Sequence, residues 1–112
     1  MVSQYCPFKV APFLLTLGEV LHRTGRLEDL EEVMRRLRRY GPSLERGLAG
    51  VRYRRLRYLE ASVKGEERSA KLWHRKAVAL LADVEARNPE PEIREALADL
   101  PLVRELKAEG PP

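Results

Sequence analysis

The stretch LEDLEEVMRRLRRYGP, residues 27–42, decides the fold class. Its apolar residues Leu27, Leu30, Val33, Met34, Leu37 and Tyr40 recur at spacings of three and four, so they share one face of a helix. Glu28, Asp29, Glu31 and Glu32 fill the first turns, and Arg35, Arg36, Arg38 and Arg39 fill the last. The helix dipole favours that order by about 0.3–1 kcal/mol per well-placed charge. Glu31 with Arg35 and Glu32 with Arg36 also stand at the supportive i, i+4 spacing. Gly41 suits a C-terminal cap and Pro42 prevents continuation, so a helix over 27–40 is expected.

Outward from this stretch, Gly and Pro punctuate the chain and the apolar residues between them never alternate for long. A first helix is expected over 12–23, with Pro12 near its start, where a missing N–H costs nothing. Phe13, Leu14, Leu17, Val20 and Leu21 form its apolar face. Gly18 lies among them at a cost of about 1 kcal/mol relative to Ala, which predicts a second backbone packed close by. Thr24-Gly25-Arg26 reads as a turn. A third helix begins near Pro42 or Ser43 and reaches Val63. Leu44, Leu48, Val51, Leu56, Leu59 and Val63 supply its buried side, with Ala49 and Tyr53 beside them, and Gly47 and Gly50 weaken its first half. After the Lys64-Gly65 turn, a fourth helix over 66–87 presents Ala70, Trp73, Ala77, Leu80, Leu81 and Val84, with Trp73 as the largest core side chain. A short helix over 92–98 carries Ile93, Ala96 and Leu97. Beyond Pro101, a last turn or two over 102–108 carries Leu102, Val103 and Leu106. The class is all-α, and connections of two to five residues predict antiparallel helical hairpins.

With 112 residues, 44% of them hydrophobic and 34% charged, the chain has the size and composition of one domain with one core. The expected division is an extended segment at 1–11, a helical domain at 12–108 and a disordered tail at 109–112. Within that domain the hairpins are 12–41 and 42–88, with capping helices at 91–108. Cys6 is the only cysteine, which excludes an internal disulfide, and His22 and His74 are too few for an ordinary zinc site. No metal or cofactor is expected. The apolar run 10–17 is short and leads into Glu19, His22 and Arg23, so it reads as core and not as a signal peptide. No run approaches the ~20 residues of a membrane span, and a cytoplasmic location is expected. Sixteen of the 21 cations are Arg and Asn88 is the one Asn. This bias predicts a GC-rich, heat-adapted source, with a melting temperature above the ~45–65 °C of ordinary domains.

Residues 23–30, RTGRLEDL, lie over residues 63–70, VKGEERSA, at a shift of 40. Under it, Leu30, Met34 and Leu37 correspond to Ala70, His74 and Ala77. Residues Leu14, Leu17, Gly18, Leu21, Leu30, Met34, Leu37 and Pro42 also stand at the signature spacing of a tetratricopeptide repeat. Leu17, Gly18 and Pro42 match in identity and the others in apolar character. The second unit keeps the small pair Ala70 and Ala77 but has Arg57-Tyr58 in place of Leu-Gly. The chain thus resembles the tetratricopeptide-like C-terminal arrays of bacterial multidomain regulators, and 96–106 is similar to their closing motif. The resemblance implies a right-handed stack of hairpins with a C-terminal capping helix. It also implies a protein or peptide partner, in a regulatory system. Such stacks normally need about three units for stability. Two hairpins and a cap therefore predict that either the segment Tyr5 to Phe13 or a second copy covers the first hairpin. A homodimer burying part of the first helix is expected.

From Arg35 to Arg57 there are nine arginines, at 35, 36, 38, 39, 46, 52, 54, 55 and 57, against Glu45, a local charge of +8. One reading is a phosphate-binding face for nucleic acid, with Tyr40, Tyr53 and Tyr58 as stacking groups. Another is a solvated face whose arginines pair with Glu28, Glu31, Glu32 and Glu60. A third is a groove for an acidic peptide. Dipole preference accounts for Arg35 to Arg39, so Arg52, Arg54, Arg55 and Arg57 are the better binding candidates. Helical geometry pairs 54 with 57 and 52 with 55. Arg35, Arg38, Arg39, Tyr53 and Tyr58 complete the candidate partner-binding set. For catalysis, Ser43, Ser62 and Ser69 lack a flanking glycine elbow and a local His and carboxylate. His74 reads as a structural, hydrogen-bonded side chain, His22 as a partner of free helix-end carbonyls and Cys6 as a small apolar contact. The expected function is a non-enzymatic protein-interaction module, with a small nucleic-acid-binding protein as the alternative.

Overall fold

The computed structural model describes residues 7–109, and within them the side chains of residues 7–9 and 43 are left aside. The readings placed on Tyr5, on Cys6 and on the Ser43 side chain lie outside what is described. Six α-helices follow one another, α1 (Pro7–Arg23), α2 (Leu27–Leu37), α3 (Gly47–Val63), α4 (Glu67–Arg87), α5 (Pro91–Asp99) and α6 (Pro101–Ala108). A 3-10 segment, Arg38–Leu44, joins α2 to α3, and no strand occurs among the described residues. The molecule is 22 Å across its thinnest dimension, room for two layers of helix about 10 Å each.

α3 is the shared wall of the structure. Every residue from Leu48 to Ala61 is at least partly buried. Leu56 enters a cluster with Ala11, Leu14, Leu15, Leu21, Leu30, Val33, Met34 and Leu37, drawn from α1 and α2. Val51 enters a second cluster with Ala77, Leu81, Val84, Leu97, Val103 and Leu106, drawn from α4, α5 and α6. α3 and α4 form the most extensive helix contact. Each buried Leu in these clusters contributes about 1.5–3 kcal/mol.

The turns at Gly25 and Gly65 are built alike. Gly25 has φ 73° and Gly65 φ 76°, values that a side chain would resist. The Arg26 N–H donates to the Leu21 carbonyl at 2.9 Å and the Glu66 N–H to the Ala61 carbonyl at 2.9 Å. Gly25 donates to His22 at 3.2 Å and Gly65 to Ser62 at 3.1 Å. Both are Schellman turns, in which the two residues past the helix satisfy its last carbonyls. The residues equated by the 40-residue shift share their burial: Leu30 and Ala70, Met34 and His74, and Leu37 and Ala77 all lie in the core.

Several boundaries differ from the sequence expectation. α1 starts at Pro7, so residues 7–11 are helical and not extended, and Pro12 sits inside the helix. Pro7 therefore takes the helix-starting role expected of Pro12. α2 stops at Leu37 and not at Tyr40. Pro42 has no N–H for the Arg38 carbonyl, and its ring crowds that carbonyl, so the chain tightens into a 3-10 turn with a kink at Tyr40 (φ −109°, ψ 34°). Gly41 does not cap in the left-handed conformation. Gly47, at φ 63°, makes the reversal that starts α3. Glu109 closes α6 and is bonded to Arg55, so it belongs to the fold and not to a tail.

Burial also departs from expectation. Phe13 and Val20 are 65% and 45% exposed, and Leu15 takes their place in the core. Val63 and Ile93 are exposed as well. Trp73 is only half-buried, at the α3–α4 seam. Gly18 is approached by a side chain and not a backbone, as a Cβ there would stand 2.6 Å from Leu56 Cδ2.

Candidate functional site

Because the arginine band runs onto the central helix, its members meet protein on both sides, and the solvated-face reading fails for Arg52, Arg54, Arg55 and Arg57. All four are partly buried. Their spacing of three sends the two pairs in different directions. Arg52 donates to Glu19 at 2.9 and 3.1 Å and to the Thr16 hydroxyl at 3.0 Å, tying α3 to α1. Arg55 donates to Glu109 at 3.0 and 2.5 Å and stands 3.2 Å from Glu105, tying α3 to α6. Burial would lower the pKa of Arg55, but the Glu109 hydrogen bonds and the Glu109 and Glu105 charges outweigh it and raise it. These two arginines are cross-links, and their three acids, Glu19, Glu105 and Glu109, all differ from the four expected.

The other pair faces the 3-10 segment and α4. The Arg54 guanidinium donates to the Leu44 carbonyl at 2.8 Å and the Gly50 carbonyl at 3.1 Å, holding the chain between the 3-10 segment and α3 in place. Gly50 makes this possible: a Cβ there would lie 2.7 Å from Leu80, 3.0 Å from the Leu44 carbonyl and 3.1 Å from Arg54. Arg57 lies over the Trp73 ring at 4.6 Å from its centroid, and Lys76, one turn along α4, at 4.5 Å. Tyr53 meets Trp73 edge-on at 6.1 Å. Arg38, Tyr53, Arg54, Trp73 and Lys76 line a cleft of about 220 Å³ together with Leu44 and Glu45. No carboxylate pairs with Arg38, Arg54, Arg57 or Lys76 among the described residues. Two cations thus rest on one indole and two more line the cleft beside it, with Glu45 the acid in the cleft wall.

The remaining candidates separate from this group. Arg35 and Arg36 are both taken by Glu32, the latter at 3.2 Å, as exposed pairs on α2. Glu31 pairs with Lys64 at 2.7 Å and not with Arg35. Arg39 is exposed on the 3-10 segment. Tyr58 packs edge-on against His74 at 5.0 Å, inside the fold and away from the cleft. His74 is buried, and its Nε2 lies 3.3 Å from the Leu106 carbonyl, which can only accept, so Nε2 carries the proton. Its Nδ1 is buried without a partner. His22 sits beside Arg55 and Glu109, and its pKa is lowered, first by burial and then by the Arg55 charge.

Trp73 and Lys76 were missed as site residues from the sequence. A tryptophan on an apolar helical face reads as core, and nothing local in 73–76 shows that Arg57 lies over it. The Trp73-to-Lys76 spacing of three was the available signal.

Chemically, the arrangement can hold an anion. Guanidinium forks match carboxylate and phosphate oxygens, and cations resting on an indole gain about 0.5–2 kcal/mol while keeping donors free. No cluster of three metal-ligating side chains occurs among the described residues, and no helix there is long and apolar enough to cross a membrane. Compared with known protein families, curated proteins and solved structures, the chain finds no match.

Proposed function

We propose that the chain is a non-enzymatic protein-interaction module that takes an acidic peptide or acidic protein segment on the face around Trp73. The observation that carries this reading is the sorting of charge: Arg52 and Arg55 are neutralised by Glu19, Glu105 and Glu109, whereas Arg57 and Lys76 over Trp73, and Arg38 and Arg54 in the cleft that Trp73 and Lys76 line, have no paired acid among the described residues. Cations without a paired acid, two of them partly buried, favour an anionic partner. The architecture proposed around it is a tetratricopeptide-like right-handed stack of antiparallel hairpins, capped by α5 and α6. The matched turns at Gly25 and Gly65 and the three matched buried pairs support that reading. The setting proposed is a bacterial regulatory system in the cytoplasm of a heat-adapted organism.

A second reading, single-stranded nucleic acid, draws on Trp73 and Tyr53 beside the same cations. Against it, the indole is already engaged by Arg57 and Lys76, with which a stacking base competes for the ring.

Trp73 is the only tryptophan, so its fluorescence reports on the site. Titration with a glutamate-rich peptide at roughly 150 mM salt is expected to give a saturable change, and R57E and K76E to weaken it about tenfold or more. An oligothymidylate is expected to bind more weakly and to lose affinity steeply as salt rises. Binding of the oligonucleotide but not of the peptide establishes the second reading in place of the first.

A further inference from the structure

We propose that the outer face of α1 and α2 is the interface of a two-fold dimer, with a second copy of this chain as its occupant. Phe13, Leu17 and Val20 follow one another at spacings of four and three, and so form one stripe along α1. Phe13 and Val20 at its ends are exposed and Leu17 at its centre is half-buried. Against this stripe lies a cleft of about 340 Å³, whose walls include Phe13, Leu17 and Val33 and whose rim carries Asp29 and Arg36. An apolar strip of this kind with a charged rim is the form of an association surface.

The rim charges select a second copy. Asp29 and Arg36 are seven residues apart, so they share a face of α2 on either side of Glu32 and Val33. A two-fold axis crossing α2 at that point sets Asp29 opposite Arg36 of the second copy, and the reverse. Phe13 and Val20 are likewise seven apart, centred near Leu17. Leu17 and Val33 line the same cleft, so one axis serves both helices. It sets Phe13 against Val20 of the second copy, Leu17 against its own equivalent, and two ion pairs at the rim. Such self-complementarity is what an isologous interface requires. The present partners of these charges, Arg26 with Asp29 at 2.6 Å and Glu32 with Arg36 at 3.2 Å, are exposed pairs that hold them weakly.

Sedimentation of the full chain tests this. The wild type is expected to be a dimer at micromolar concentration, and F13E a monomer. D29R and R36D singly place like charges opposite each other and are expected to weaken the dimer about tenfold or more, while the double variant D29R/R36D restores it. Circular dichroism confirms that each variant keeps its helices. A wild type still monomeric at ~100 µM overturns the proposal. So does an F13E protein that remains dimeric, or a double variant no tighter than the single ones. Acidic-peptide binding at Trp73 is read separately by fluorescence and does not depend on this result.

Discussion

Leu56 Cδ2, from α3, fills the space where a Gly18 side chain would begin, 2.6 Å from an ideal Cβ. The relationship explains why a glycine sits in the middle of α1, where it costs helix stability. Leu56 is 1% exposed, and Val33 and Leu30 lie 3.5 and 3.6 Å from the same position, so it has little room to withdraw. Gly18→Ala gains about 1 kcal/mol of helix propensity and loses about 1–3 kcal/mol to overpacking. A net destabilisation near 1 kcal/mol is expected from urea unfolding. Combining it with Leu56→Val, which removes the obstructing carbon, is expected to cost less than the sum of the two. A strictly additive pair shows that the contact is not what constrains Gly18.

The arginines of the band are expected to differ in structural weight. Arg55 is 13% exposed at its side chain against 23% for Glu109, whereas Arg35 is 62% exposed. Arg55→Met strands two carboxylates beside α3 and is expected to cost roughly 2 kcal/mol, less than a fully buried pair because water still reaches the acids. Arg35→Met, at an exposed pair, is expected to leave the denaturant midpoint essentially where it is in wild type. Arg52→Met should fall between them. Denaturant midpoints give the order directly.

His22 makes stability depend on pH near neutrality. Its folded pKa lies below the ordinary 6.5, first through burial and then through the neighbouring Arg55 charge, with Glu109 opposing. As pH falls through 6.5 the unfolded chain takes up the proton before the folded one, so stability declines until the lowered folded value is passed. Above 6.5 the imidazole is neutral in both states and contributes no slope. His22→Gln is expected to flatten the melting temperature between pH 7 and 5.5 relative to wild type. An unchanged slope would falsify this assignment.

His74 occupies the place that Met34 holds in the first unit, and both are buried. His74→Met removes the unpartnered Nδ1 but frees the Leu106 carbonyl, so the two effects oppose and a change within ~1 kcal/mol is expected. His74→Ala opens a cavity between α4 and α6 and is expected to cost about 2–3 kcal/mol. Equal losses in both variants show that the Leu106 hydrogen bond, not volume, is what the site needs.

Much of the fold was legible because it is local. The stripe Leu30, Val33, Met34 and Leu37 needs only the 3.6-residue period, and Gly25 and Gly65 announce their turns through a backbone conformation that other residues resist. Structure departs from the local pattern where an effect reaches along or across the chain. Pro42 acts on Arg38, four residues back, and turned the end of the expected helix into a 3-10 segment. Phe13 looks like core in a helical wheel, yet which part of an apolar face is covered depends on the neighbours that arrive.

The candidate site shows the same division more sharply. Helical spacing alone separates Arg52 and Arg55 from Arg54 and Arg57, so that pairing, like the all-helical class, follows from the order of residues. That order could not say which pair would be neutralised, because Glu19 and Glu109 are 33 and 54 residues away from the arginines they bind. Only tertiary packing decided that one side of α3 meets acids and the other meets Trp73 and Lys76. The physical reason is that helix geometry follows from bonds between near neighbours, whereas the fate of a buried charge is settled by whatever long-range packing places beside it.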